Sequence, residues 1–377
     1  MTGPEDSRTL PTCGRHVPIN DLQRESGELR QELREAIDRV VSRGRYLLGE
    51  ETAALEAEFG ALVARRHAVA VANGTDALEL GLRALGCGPG DEVITVANAG
   101  GYTSTACVLA GATPVYIDID PTTLLMDVSL LERLITERTR VIVVTHLYGM
   151  TVDVRAVSEI ARRHGVAVME DCAQAHGASR DGAPAGSLSD LAAFSFYPTK
   201  NLGALGDAGM IVADDEALAQ RIRALQQYGW TTRYHMELSG GRNSRMDEIQ
   251  AAVLRVKLAH LLRRNQRRFQ IVQRYRQATA GGCFRFCEMD FPEYVAHLCV
   301  VRHGDRDSVS RRLGSLRVHS AIHYPVPDHR QTALARYATG PLPATERAVC
   351  EILTIPCFPE MTETEIAHVC GALKECS

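Results

Sequence analysis

Lysine is scarce in this chain. Of 42 basic residues only three are lysine, Lys200, Lys257 and Lys374, so any chemistry that needs an amine nucleophile has three side chains to draw on. No run of about 18 apolar residues occurs, so no membrane-spanning helix is expected, and the first twenty residues carry no apolar signal core. Basic charge is not in excess: the net charge is −4 and no Lys/Arg block marks a nucleic-acid surface. No Cys-x-x-Cys pair occurs among the eleven cysteines, and the closest spacing, Cys283 to Cys287, is followed by no His or Cys cluster at metal-binding intervals. The odd count argues against a complete disulfide framework. Reduced thiols, no metal and a cytoplasmic location are the expectation.

What is present suits a soluble globular protein. The 377 residues are 45% hydrophobic and 23% charged. That length fits one large domain and a smaller one. The expected division is a mobile polar tail at 1–16, a large domain at 17–250, and a connecting helix with a small domain at 251–377.

Residues 28–43 repeat apolar side chains at helical steps (Leu29, Leu33, Ile37, Val40, Val41), with Gly44 placed to end the helix. A second helical pattern follows Gly49, with Leu55, Phe59, Leu62 and Val63. Seven short apolar runs come next: AVAVA (68–72), EVITV (92–96), PVYID (114–118), VIVVTH (141–146), VAVMED (166–171), LAAFSF (191–196) and GMIVAD (209–214). They lack polar alternation, as strands buried on both faces do. Helical patterns such as Asp76–Leu85 and Val154–His164 fall between most of them. The alternation predicts an α/β fold with a mostly parallel central sheet, whose ligands bind at the carboxyl ends of the strands. Met246 to Ala278 reads as one long helix or two with a bend. Beyond it, Phe291–Val301 and Arg317–Tyr324 read as strands, with helices near Asp307–Leu313 and Thr362–Leu373, giving a smaller C-terminal α/β unit.

Four strand ends carry groups capable of chemistry. Asn73-Gly74-Thr75-Asp76 links AVAVA to a helix. Its free N–H groups, the helix dipole and the Thr75 hydroxyl suit a phosphate, although an ordinary helix cap has the same pattern. Glu170-Asp171 ends VAVMED. Acids there are costly unless loop amides, an arginine, a metal or a cationic ligand nitrogen compensates them, and Cys172 and His176 form no recognised ligand set. Lys200 sits in the turn after Ser195, Tyr197 and the strand-breaking Pro198. A lysine in a low-dielectric pocket loses its charge readily and becomes a nucleophile; a solvated loop lysine is the alternative. Lys257 lies among arginines on a charged helix face, and Lys374 lies near the end. Tyr102 can stack on a flat ligand or cap the core, and His323-Tyr324-Pro325 with His329 can be a packed turn or a substrate contact. The glycines at 203, 206 and 209 do not follow the dinucleotide spacing and are expected to allow close backbone packing behind the lysine. Phosphate cup, acid, stacking ring and amine together match the needs of pyridoxal phosphate.

The segments GRYLLGEE, NGTDAL, GDEVITV, AGATPVYIDID, VMEDCAQAHGA, FSFYPTKNLGALGDAG, GRNSRMDEIQAAVL and LPATERAVCEILTIPCFPEMTETEI occur in this order. From about Ile19 onward the chain resembles the DegT/DnrJ/EryC1 family of nucleotide-sugar aminotransferases, of the fold type I pyridoxal-phosphate enzymes. The resemblance implies that Lys200 is the Schiff-base lysine and that Asp171 pairs with the ring nitrogen. It implies Gln174 at the ring hydroxyl side, Gly74, Thr75 and Ser195 at the phosphate, and Tyr102 over the ring. Asn243 is implied to reach the phosphate site of a second subunit, which makes the protein a homodimer. Tyr197, His323, Tyr324 and His329 are candidate sugar contacts. The implied partners are L-glutamate and a nucleotide-linked ketosugar, with pyridoxamine phosphate as the intermediate cofactor form. Lys200 argues against the branch that carries histidine there and dehydrates sugars. FSFYPTKN resembles the 3-aminotransferases, whereas 4-aminotransferases often read FSFHATKN, and a dTDP-linked 3-keto-6-deoxyhexose is the expected acceptor. Amination at C4, dehydration, or a regulatory protein without turnover are the alternatives. VANAGGYTSTA departs from the common PANTYIATA form.

Overall fold

The computed structural model describes residues 16–376. The expected tail, His16 apart, lies outside them.

All seven apolar runs form strands of one sheet. These are β1 (His67–Val71), β2 (Glu92–Val96), β3 (Thr113–Ile117), β4 (Thr139–Thr145), β5 (Ala167–Asp171), β6 (Leu191–Ser195) and β7 (Gly209–Ala213), in the order β1-β7-β6-β5-β4-β2-β3. Neighbours pair in parallel except around β7, which runs antiparallel to both β1 and β6. The reversal follows from connectivity. Helices link β1 to β2, β2 to β3 and β4 to β5 (the last of these is α6, Val154–His164), and longer stretches without an α-helix link β3 to β4 and β5 to β6, but only thirteen residues, 196–208, join β6 to β7. That short return places Gly209 opposite Ser195 and keeps the Lys200 turn at the edge where the parallel strands end.

Alternate residues of each strand enter different cores, which is why the runs are apolar throughout. Ala68, Ala70, Ala192, Phe194, Met210 and Val212 pack with Leu55 and Phe59 of α3 (Glu50–Leu62) and Ala251 and Leu254 of α8 (Glu248–Leu258). Val69, Val71, Val141, Val143, Met169 and Ile211 pack on the other side against α4 (Gly74–Ala84), α5 (Tyr102–Ala110) and α7 (Glu216–Leu225). Phe59 stands edge-on to Phe194 and Phe196, at 4.8 and 5.3 Å between ring centres.

The helix expected at 28–43 is α2 (Arg30–Arg43), ended by Gly44 with φ +68°, and a short helix not expected from the sequence, α1 (Leu22–Glu28), precedes it across Leu29. Leu29, Leu33, Ala36 and Val40 rest on Val253 and Ala252 of α8, whereas Val41 faces outward. The 246–278 stretch is two helices, α8 and α9 (Leu261–Ala278), parted at Ala259–His260. Lys257 is not on a solvated face. It is buried and meets Glu25 of α1 at 3.1 Å.

A second, antiparallel sheet holds β8 (Arg285–Phe286), β9 (Cys299–Arg302) and β10 (Ile352–Ile355), with α10 (Arg306–Ser315), α11 (Pro343–Glu351) and α12 (Glu363–Lys374) beside it. Of the expected strand Phe291–Val301, only residues from Cys299 on pair as a strand. Pro292 has no N–H to offer, and the Tyr294 and Val295 N–H groups donate instead to Asp290 and Gly149 carbonyls. Arg317–Tyr324 is no strand either. Val318 bridges to Val17 and Ala321 to Thr354, so its pairing is split between two unrelated partners. Among the described residues no helix is long and apolar enough to cross a membrane.

Candidate active site

The carboxyl edge of the sheet opens on a cavity of about 670 Å³. Gly74, Thr75, Tyr102, Asp171, Gln174, Ser195, Tyr197, Lys200, His323 and Tyr324 all line it. Ten of the twelve residues singled out from the sequence therefore meet in one place. His329 does not. It is buried beside Tyr116, and its Nε2 meets Glu346 at 2.9 Å, so it packs behind the site and is no wall of this cavity. Asn243 is also absent from the lining; its Oδ1 accepts from Arg245 Nε at 2.9 Å.

The phosphate cup begins with Asn73, whose side chain caps α4 by accepting from the Asp76 N–H at 2.8 Å. The first N–H groups of the helix stay free for an anion. A Cβ on Gly74 would collide with the Ser195 side chain, so only glycine lets strand end and helix start close into a cup there. Gly209 meets the Asn73 carbonyl in the same way, and Gly203 meets that of Pro198. Gly203 and Gly209 thus pack backbone against backbone behind the Lys200 turn as expected, whereas Gly206 faces the Gln250 side chain.

Asp171 lies at the end of β5, buried. Among the described residues its carboxylate accepts only from the Ala173 N–H at 3.1 Å and the Thr103 hydroxyl at 3.3 Å, and no arginine or histidine pairs with it. Burial pushes this acid above the usual aspartate range, while the Ala173 amide and the charge of Lys200 oppose the rise. A ring N–H aimed at Asp171 would supply the missing donor. Lys200 is held in a tight turn by its N–H to the Tyr197 carbonyl at 2.8 Å. Loss of hydration pushes its ammonium down to about 8, with Asp171 pulling the other way. An amine near neutrality, an undersatisfied acid and an open helix N-terminus on one cavity fit pyridoxal phosphate.

Two neighbours shape the rest. Tyr148 holds a positive φ of 62°. Its N–H donates to Gln174 Oε1 at 2.6 Å, and its hydroxyl donates to the His323 carbonyl at 2.6 Å. Gln174 Nε2 in turn donates to the Tyr324 hydroxyl at 3.3 Å. Tyr324 covers Gly100, where any Cβ would press on the ring, and stands edge-on to Tyr102 at 6.0 Å. Gly100, in the segment that departs from the family's common form, thus makes room for this ring. His297 also lines the cavity and escaped sequence analysis, since a lone histidine beside a strand looks like core.

Glu170, next to Asp171, points the opposite way. It accepts from His146 Nε2 at 2.9 Å, the N–H groups of Gly186, Leu188 and Ser189, and the Ser189 hydroxyl. His146 Nδ1 accepts from the Val152 N–H at 3.0 Å, so Nε2 carries the proton. Cys172 lies close enough to form a three-ligand cluster with this pair. The Glu170 oxygens are already filled by donors, so the group reads as a brace for the end of β5. Burial alone would push Glu170 up; His146 and the Gly186 and Ser189 donors outweigh it and hold the acid at about 2.

The comparisons agree with the geometry. Residues 28–374 match the model of the DegT/DnrJ/EryC1/StrS aminotransferase family. The chain belongs to this family. It is 43% identical to the dTDP-3-amino-3,4,6-trideoxy-alpha-D-glucose transaminase of Streptomyces venezuelae, over 95% of this chain and 96% of that protein. It is 38% identical to the UDP-N-acetyl-3-dehydro-alpha-D-glucosamine 3-aminotransferase of Acidithiobacillus ferrooxidans, over 95% and 97%. Among solved structures, NtdA from Bacillus subtilis with bound cofactor PMP superposes with a TM-score of 0.92 at 29% identity, covering 97% of this chain and 86% of that one. This DegT-type protein is a pyridoxal-phosphate-dependent sugar aminotransferase of α/β fold type I.

The brace carries a pH signature. A carboxyl held below its unfolded value contributes stability that is complete above about pH 4.5 and is lost as pH falls toward 2. Glu170→Gln is expected to lower stability at pH 7 by about 1–3 kcal/mol, because donors lose a charged acceptor. Its denaturation midpoint should also depend less on pH between about 5 and 2 than that of the wild type. Parallel acid profiles for the two proteins would contradict the assignment.

Proposed function

We propose that the protein transfers the amino group of L-glutamate to C3 of a dTDP-linked 3-keto-6-deoxyhexose, as a cytoplasmic homodimer. The observation that carries the chemistry is that Lys200, Asp171 and the open end of α4 line one cavity. Two features support C3. The lysine turn reads FSFYPTKN, and both relatives named above, one dTDP-linked and one UDP-linked, carry position 3 of the sugar in their names, one as the 3-amino sugar and one as a 3-aminotransferase. The dTDP choice follows the relative of higher identity.

Pyridoxal phosphate supplies, when bound, an aldehyde carbon for the amine and a ring that takes up an electron pair. The Gly74 and Thr75 amides with the Thr75 and Ser195 hydroxyls would hold its phosphate. Asp171 would keep a proton on the ring nitrogen, Gln174 would hold the ring hydroxyl side, and Tyr102 would cover the ring. Lys200 would anchor the aldehyde. With its amine free, Lys200 would act as the base that takes the proton from the glutamate Cα and as the acid that returns one. With the sugar it would serve in the opposite order, giving a proton to the sugar C3. An amine that titrates near 8 is suited to both directions, because neither protonation state is strongly favoured near neutral pH. Tyr197, His323 and Tyr324 would face the sugar. Asn243, which bridges to Gln227 ahead of the hairpin Trp230–Thr232/His235–Met236, would serve the partner's cup.

Purified protein is expected to be yellow and to lose that colour on addition of glutamate. Lys200→Ala should lower turnover by roughly 10²–10⁴-fold or more, and near wild-type turnover would refute the role. The aminosugar formed should carry nitrogen at C3 by NMR; nitrogen at C4 would refute the regiochemistry. Mixing Lys200→Ala with Asn243→Ala chains should restore part of the activity that each variant lacks alone. No recovery after verified subunit exchange would contradict a shared site.

A further inference from the structure

His297 is held in one defined tautomer by a chain of side-chain amides. Asn265 Nδ2 donates to the His176 carbonyl at 2.7 Å, which fixes the orientation of that amide. Its Oδ1 accepts from Asn201 Nδ2 at 2.8 Å, and Asn201 Nδ2 also donates to the Val295 carbonyl at 3.0 Å. Both amides are thus pinned by backbone carbonyls that can only accept. Asn201 Oδ1 is left to face His297 Nδ1 at 3.2 Å. Nδ1 must therefore carry the hydrogen, and Nε2 carries a lone pair. Nε2 has no hydrogen-bond partner among the described residues, while the ring lines the cavity that holds Lys200. Burial, and the charges of Lys200 and Arg268, push the imidazolium well below the usual histidine range, so the ring stays neutral.

We infer that His297 is a specificity-determining residue whose Nε2 accepts a hydrogen bond from a hydroxyl of the ketosugar. The inference rests on the sugar-aminotransferase chemistry proposed above, and it separates the two substrates. Once its amine is engaged, glutamate presents only carboxylates, which accept and would be repelled by a lone pair. The sugar presents hydroxyls, which donate. His297 therefore acts in the sugar half of the reaction and is silent in the amino-acid half.

The test uses the holoenzyme and three probes: L-glutamate, 2-oxoglutarate and the dTDP-linked 3-keto-6-deoxyhexose. Each half-reaction is followed by loss or return of the cofactor absorbance. His297→Asn keeps an amide opposite Asn201 and removes the acceptor at the Nε2 position; His297→Gln places an amide oxygen near Nε2. In His297→Asn the KM for the ketosugar should rise roughly three- to tenfold, with the constants for glutamate and 2-oxoglutarate unchanged. His297→Gln should stay close to wild type with all three. An unchanged sugar KM in His297→Asn would overturn the inference, as would equal slowing with all three probes. If His297→Asn yields no holoenzyme, His297→Gln decides: a raised sugar KM there overturns it. A wild type that exchanges with glutamate and 2-oxoglutarate but accepts no ketosugar would overturn the substrate assignment and this inference together, and is distinguishable from the other outcomes.

Discussion

A lysine amine and an aspartate carboxylate share the carboxyl edge of a buried sheet, and each is held where water cannot fully solvate its charge. Burial moves the two in opposite directions, the amine down to about 8 and the acid up, while their mutual attraction limits both shifts. Neither arrangement favours the empty protein, since a poorly solvated acid with two long hydrogen bonds is destabilising. The pair makes sense when a cationic ring nitrogen and an aldehyde lie between them. The surroundings serve this placement. The short return from β6 to β7 keeps the lysine turn at the strand ends, and Gly203 and Gly209 allow the backbones there to touch.

Precise position needs rigid support, and the structure supplies it from beneath. Glu170 and Asp171 are consecutive, so the strand directs one into the cavity and the other into the core. The inward acid gathers five donors from His146 and the 186–189 loop. Tyr148 ties Gln174 to the backbone of His323. Lids and walls from distant parts of the chain thereby share one framework with the strand end that carries Asp171.

Much of this was legible in the sequence for a physical reason. Strands buried on both faces read as unbroken apolar runs, and all seven were found within a residue or two. The chemistry sits in the loops at their ends, where glycine, asparagine, acid and lysine stand out. Features that depend on distant partners were not legible. Lys257 looked solvated because its helix is rich in arginine, yet its partner Glu25 comes from the first helix. Arg317–Tyr324 looked like a strand, but its pairing is divided between Val17 and Thr354. His329 belonged to a polar aromatic stretch whose other members reach the cavity, while it turns toward Glu346. His297 could not be singled out, because its tautomer is set by two asparagines from separate segments.

The scarcity of lysine makes the central claim open to a clean measurement. Reducing the yellow protein with borohydride and digesting it should leave the phosphopyridoxyl mass on the peptide that contains Lys200, and on no other. Label on Lys257 or Lys374, or no stable label at all, would contradict the account.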